Sequence, residues 1–170
     1  MAAHPPLTVL KDIVRNSVKD YDAGFIRFLL DLFDLAEKRE NIAAEQLGRL
    51  KLIASDKRET ISFCGRVLLG SFAERQPEAQ ALILEMANAS VAHVRFNAIL
   101  CLNERCPESL VMQVIPSSLK DKSKKVRCKA ADWARNFKID ALLPMMEQAL
   151  SLESDLEVQH VLRAEIRRKK

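Results

Sequence analysis

An all-α fold is expected from three features of the chain. Among its 170 residues are twenty Ala and twenty-three Leu, against two Thr and one Tyr. That balance favours helix over strand. Gly and Pro together number ten, too few for a disordered or collagen-like chain. Four segments also recur with the same apolar positions, their starts 33, 32 and 32 residues apart, and a fixed period of that length marks repeat architectures.

The elements follow in order. Leu7, Leu10, Ile13, Val14 and Val18 sit at helical spacing after Pro5-Pro6. Asp22 or a neighbour starts a helix to about Arg39, whose apolar residues from Phe25 to Ala36 cover more than one face. A third helix is expected over 42–54 with Asn41 as its N-cap. Asp56-Lys-Arg-Glu59 reads as a capping box, with Glu59 reaching back, for a helix to about Glu74. Pro77 and Pro107 read as first-turn prolines, each followed by a Glu that suits the helix dipole. Asp140 is expected to cap a helix with Pro144 as its fourth residue. Pro116, about ten residues into a helix, is expected to kink it.

The recurring segments are 61–70, 94–103, 126–135 and 158–167. Offset 0 is Ile61, Val94, Val126 and Val158; offset 4 is Gly65, Ala98, Ala130 and Leu162; offset 8 is Leu69, Leu102, Ala134 and Ile166. These offsets share one helical face, and the small residues on it permit close helix approach. Further helices fall between the segments, roughly at 77–88, 108–120 and 141–152, so the unit is a helical hairpin of about 32 residues. One such pair cannot bury its apolar stripe alone, whereas stacked pairs bury a continuous core.

Val126, Arg127, Ala130, Ala131 and Ala134 resemble the second helix of HEAT repeats, and Leu68-Leu69-Gly70 resembles that helix's usual ending. Val114-Ile115-Pro116 with Leu119, and Leu142-Leu143-Pro144, resemble the Pro-bearing first helix. The likeness covers about 56–167. It departs where Asn103, Arg135 and Arg167 replace the terminal Gly, where Gln159 replaces Arg, and where the two prolines fall out of register. It implies an all-α, α-α superhelix (a HEAT-like solenoid) forming one domain over 1–170. Residues 7–54 would be an N-terminal helical cap and 56–170 about four repeats, with second helices lining a concave face.

No apolar run reaches membrane-spanning length, and Met1–Pro6 lacks the basic and apolar regions of a signal peptide. A soluble, cytoplasmic protein with reduced thiols at Cys64, Cys101, Cys106 and Cys128 is therefore expected. No HExxH, Walker, GxGxxG or Gly-x-Ser-x-Gly pattern occurs among these residues. Cys101 and Cys106 would need two more ligands to hold zinc, and their spacing puts them on different helix faces. No catalytic residue, metal or cofactor is assigned.

Charge supplies the functional candidate. The net charge is +4, and 118–138 carries eight basic residues against Asp121 and Asp132. Offsets 1, 5 and 9 of the second helices share one face, and six of their twelve residues are Arg. Arg66, Arg95, Arg127, Arg135, Arg163 and Arg167, extended by Lys124, would form a basic stripe for a polyanion or acidic partner. Arg95 and Arg127 occupy the family's Val-Arg position, where the side chain commonly bonds a neighbouring repeat's loop. The expected function is a non-enzymatic protein-interaction module, an adaptor or scaffold binding an acidic partner on its concave face. The alternative is a nucleic-acid binder, since Asp132, Trp133 and Arg135 loosely resemble HEAT-like alkylpurine DNA glycosylases. Yet a lone Trp offers no paired stacking wall, and Asp132 at offset 6 should point away from the concave side. Trp133 is expected to pack with its N–H at the surface.

Overall fold

The computed structural model describes residues 9, 11, 12 and 21–169. Among them are nine α-helices and no strand, as the composition predicts. They are α1 (Ala23–Glu37), α2 (Ala44–Ala54), α3 (Glu59–Ala73), α4 (Pro77–Ala87), α5 (Ala92–Cys101), α6 (Glu108–Ser118), α7 (Lys124–Ala134), α8 (Leu142–Leu152) and α9 (Leu156–Lys169). The helix expected from Leu7 to Val18 lies outside the described residues. Lys11 bonds Asp34 and Glu37 of α1, both at 2.6 Å.

Successive helices pair as α2–α3, α4–α5, α6–α7 and α8–α9, and each helix also packs on the one two places further along. Hence α1, α3, α5, α7 and α9 lie side by side in one layer, and α2, α4, α6 and α8 in the other. One continuous apolar cluster runs between the layers from Leu29 to Ile166. The repeated offsets explain it. Every residue at offsets 0, 4 and 8 is buried except Val94, which is half-buried.

Two glycines set the spacing within the odd-numbered layer and its neighbours. A Cβ on Gly65 would lie 2.4 Å from the Ala54 nitrogen at the end of α2, and one on Gly70 would lie 2.1 Å from the Cys101 carbonyl oxygen. Backbone meets backbone at both points, so only Gly fits.

Helix ends follow the sequence less closely. Asp22 caps α1 as expected, accepting from the Phe25 N–H at 3.1 Å. At the other end Arg39 adopts φ 59°, and its N–H and that of Glu40 bond Ala36 and Leu35 carbonyls, a Schellman motif with Arg where Gly is usual. Asn41 does not cap α2. The cap is Ala43, whose N–H is taken by the Gln46 side chain at 3.0 Å. Nor does Asp56-Lys-Arg-Glu59 form a capping box: α3 starts at Glu59 itself, Asp56 instead accepts the Arg58 N–H, and Glu59 pairs with Arg66. Pairing with the buried Arg66 guanidinium draws the exposed Glu59 side chain away from the backbone.

Pro77 opens α4 as predicted, but Pro107 is the N-cap of α6 rather than its first helical residue. Ala141 replaces Asp140 as the cap of α8, which makes Pro144 the third residue, still inside the turn whose N–H groups need no partner. Pro116 is the ninth residue of α6, which ends two residues later. Ser117 Oγ donates to the nearby Gln113 carbonyl at 2.8 Å.

Candidate binding groove

The seven sequence-predicted basic residues divide into three groups. Arg66, Arg95 and Arg127 are committed to bonds within the fold. Arg95 grips Asp121, 26 residues on, through Nε at 2.6 Å and a second nitrogen at 2.8 Å, while its third nitrogen donates to the Ala89 and Ser90 carbonyls. Arg127 repeats this contact for contact. It bonds Glu153, again 26 residues on, at 2.6 and 3.0 Å, and donates to the Asp121 and Lys122 carbonyls. Each arginine thus ties the loop before its own helix to the loop before the helix two places on. Gln159, one period further, keeps only the first half of the pattern, donating to the Glu153 carbonyl at 2.6 Å.

These pairs are largely shielded from solvent, with Arg95 buried and Arg127 half-buried. The side chains of Asp121 and Glu153 are 9 % and 6 % exposed. Hydrogen bonding to Arg95 holds the Asp121 carboxyl below its usual range, and Arg127 does the same for Glu153. Arg66 follows a different scheme, reaching Glu59 at 2.6 Å and Asn97 at 2.9 Å, and Asn97 donates in turn to the Ala54 carbonyl.

Arg163 and Arg167 are exposed on α9, with Arg163 donating to Gln159 at 2.9 Å. Only Lys124 and Arg135 of the seven line a groove of about 700 Å³ over α7 and α9, to which α5 contributes Phe96. Its floor is Phe96, Cys128, Val161 and Ala164. Sequence reasoning missed Lys125, Lys129 and Arg168, which join Lys124 and Arg135 on its walls. They stand at offsets −1, 3 and 10 of their helices, beside rather than on the expected stripe. The dense basic run at 118–138 was the signal for Lys125 and Lys129.

Asp132, Glu157 and Glu165 share these walls, so Asp132 faces the groove rather than away from it. Asp132 lies three residues from both Lys129 and Arg135 on the same side of α7 and pairs with each, which places it in the groove they line. The carboxylates position the cations. Asp132 bonds Lys129 at 3.1 Å and Arg135 at 3.2 Å. Glu165, 4 % exposed, holds Arg168 at 2.6 Å and Arg135 at 3.5 Å through one oxygen. Its other oxygen is buried without a hydrogen-bond partner. Lys124 bridges Glu157 at 2.6 Å and Asp155 at 3.2 Å. Lys125 is exposed and makes no ion pair among the described residues.

The remaining candidates serve the fold. Trp133 does not present its N–H to the surface; Nε1 donates to the Leu102 carbonyl at 3.0 Å, closing a carbonyl at the end of α5. Cys64 and Cys106 are buried, and burial pushes each thiol up to about 11. His93 Nε2 meets the Ser55 carbonyl at 3.1 Å. Among the described residues no group of three or more His, Cys, Asp and Glu could hold a metal ion, and no helix is long and apolar enough to cross a membrane. Comparison of the chain with protein-family models, with curated proteins and with solved structures finds no match.

Proposed function

We propose that this chain is a HEAT-like α-solenoid and serves as a non-enzymatic protein-interaction module, an adaptor or scaffold in the cytoplasm that binds an acidic partner. One observation carries this reading: five cationic side chains and three carboxylates stand around an apolar floor in a single groove. Such a surface offers both the desolvated anchor and the charged rim of a protein interface. The solenoid assignment is supported by the 32-residue recurrence of the Arg-to-loop bonds from Arg95 to Arg127. Four free cysteines suit a reducing compartment.

Nucleic-acid binding draws on the same cations. Against it, three carboxylates share the walls, and Asp132 and Trp133 are both engaged in structural bonds. The test is fluorescence anisotropy of a labelled duplex and a labelled single strand at about 50 and about 200 mM salt, where a phosphate binder loses orders of magnitude in affinity. The adaptor reading expects no saturable DNA binding at either salt. Micromolar DNA binding that collapses with salt overturns it.

A further inference from the structure

We propose that the groove over α7 and α9 receives one acidic amphipathic helix of a partner protein, about three turns long. The inference rests on the adaptor reading and specifies its ligand. Length comes first. Lys124 and Arg135 mark the two ends of the cationic wall on α7, and eleven residues at 1.5 Å each span about 16 Å, close to three helical turns. Shape comes next. α7 and α9 lie side by side in one layer, and the trough between adjacent helices accepts the side-chain ridge of another helix. The partner's apolar stripe would sit on Phe96, Cys128, Val161 and Ala164.

Charge selects a protein helix over a nucleic acid. A phosphodiester backbone is negative throughout and would meet Asp132, Glu157 and Glu165 as well as the cations. A helix can place carboxylates only at its ends, one opposite Lys124 and Lys125 and one opposite Arg135 and Arg168. Lys125 is free to take the first. The second is prepared by Glu165, which fastens both guanidiniums with one oxygen. That carboxylate is a poor device for stability. Its other oxygen is buried without a donor, and an orphaned buried acceptor is destabilising. Its use is to hold Arg135 and Arg168, 38 % and 61 % exposed, with their remaining N–H groups available to a carboxylate. Glu165 is a positioning residue.

The experiment is a selection of displayed random peptides on the full chain, followed by affinity measurement and amide chemical-shift mapping of the enriched peptides. The expected result is acidic, amphipathic, helix-forming peptides that shift amides in 124–135 and 157–168. They should bind the Lys125→Glu/Arg168→Gln variant about tenfold more weakly, since each lost or reversed charge removes part of the end-on pairing. Glu165→Gln should weaken them about threefold and move the Arg135 and Arg168 side-chain Nε resonances while leaving α3 amides in place, which a purely structural role would not do. Acidic peptides that map to another surface would overturn this inference and leave the adaptor reading standing. Enrichment of basic or Pro-containing extended peptides, or of none, would overturn it too. Salt-sensitive DNA binding would overturn both.

Discussion

Gly70 shows how a single missing atom fixes helix spacing. A methyl there would stand 2.1 Å from the Cys101 carbonyl oxygen, and the obstacle is backbone rather than a flexible side chain. Gly70→Ala should therefore cost about 3 kcal/mol, the upper end of overpacking penalties, read as a lower urea midpoint with an unchanged slope. Gly48, with nothing within 4 Å of its would-be Cβ, is the control. Gly48→Ala should leave the protein as stable or raise its stability by up to about 1 kcal/mol, because Gly is the costlier residue in a helix interior. Arg39 presents the reverse case. Its φ of 59° is a left-handed conformation that an L side chain resists, and Arg39→Gly should stabilise by about 1 kcal/mol, checked by thermal denaturation. The composition of the chain gave notice of neither strained site, since both depend on contacts or angles that no residue type announces.

Consecutive hairpins are held in register by the paired arginines. Arg95 with Asp121, and Arg127 with Glu153, each join a helix to a loop 26 residues away. Both carboxyls lie below their usual range because an arginine donates two hydrogen bonds to each. A depressed folded-state value means that the unfolded chain binds the proton more readily, so the contribution is complete above the ordinary carboxylate range near pH 4 and is lost as pH falls through the depressed values. Asp121→Ala strands the nearly buried Arg95 and should cost about 3 kcal/mol at pH 7. The gap between variant and wild type should close as urea titrations are taken from about pH 5 towards pH 2. A gap independent of pH would assign the loss to packing. The Val-Arg motif made this role legible for Arg95 and Arg127 before any coordinates. What the motif did not supply was the acidic partner, although Asp121 and Glu153 stand 32 residues apart at the same place, five residues before Val126 and Val158, and each accepts the N–H two residues on.

Among the described residues, the main contacts link helices one or two places apart in the chain. Stability should then be passed between neighbours rather than shared by all. Amide exchange should show α8 and α9 opening about 2 kcal/mol more easily than α3 to α6, since α9 packs chiefly on α7 and α8 while α3 to α6 have neighbours on both sides in the chain. Val158→Ala, a cavity beneath α9, should speed exchange in α7 to α9 and leave α3 unchanged. Equal acceleration everywhere would mean that the stack unfolds as one unit. The groove belongs to this level too, because it forms where α7 and α9 meet with Phe96 of α5.

Helix content, hairpin period and the buried offsets were readable because each depends on residues within one helix or one repeat. Ile61, Val126 and Val158 are β-branched at the same offset, and all three are buried. Periodicity of 3.6 residues states which side chains share a face, but it does not state how far each helix turns about its axis against its neighbours. That rotation buries Arg66 and Arg95 and ties Arg127 to a neighbouring loop. It also collects Lys125, Lys129 and Arg168 from two helices more than thirty residues apart in sequence. Rotation is settled by packing, where Gly65 and Gly70 let backbones touch and buried guanidiniums demand carboxylate and carbonyl partners.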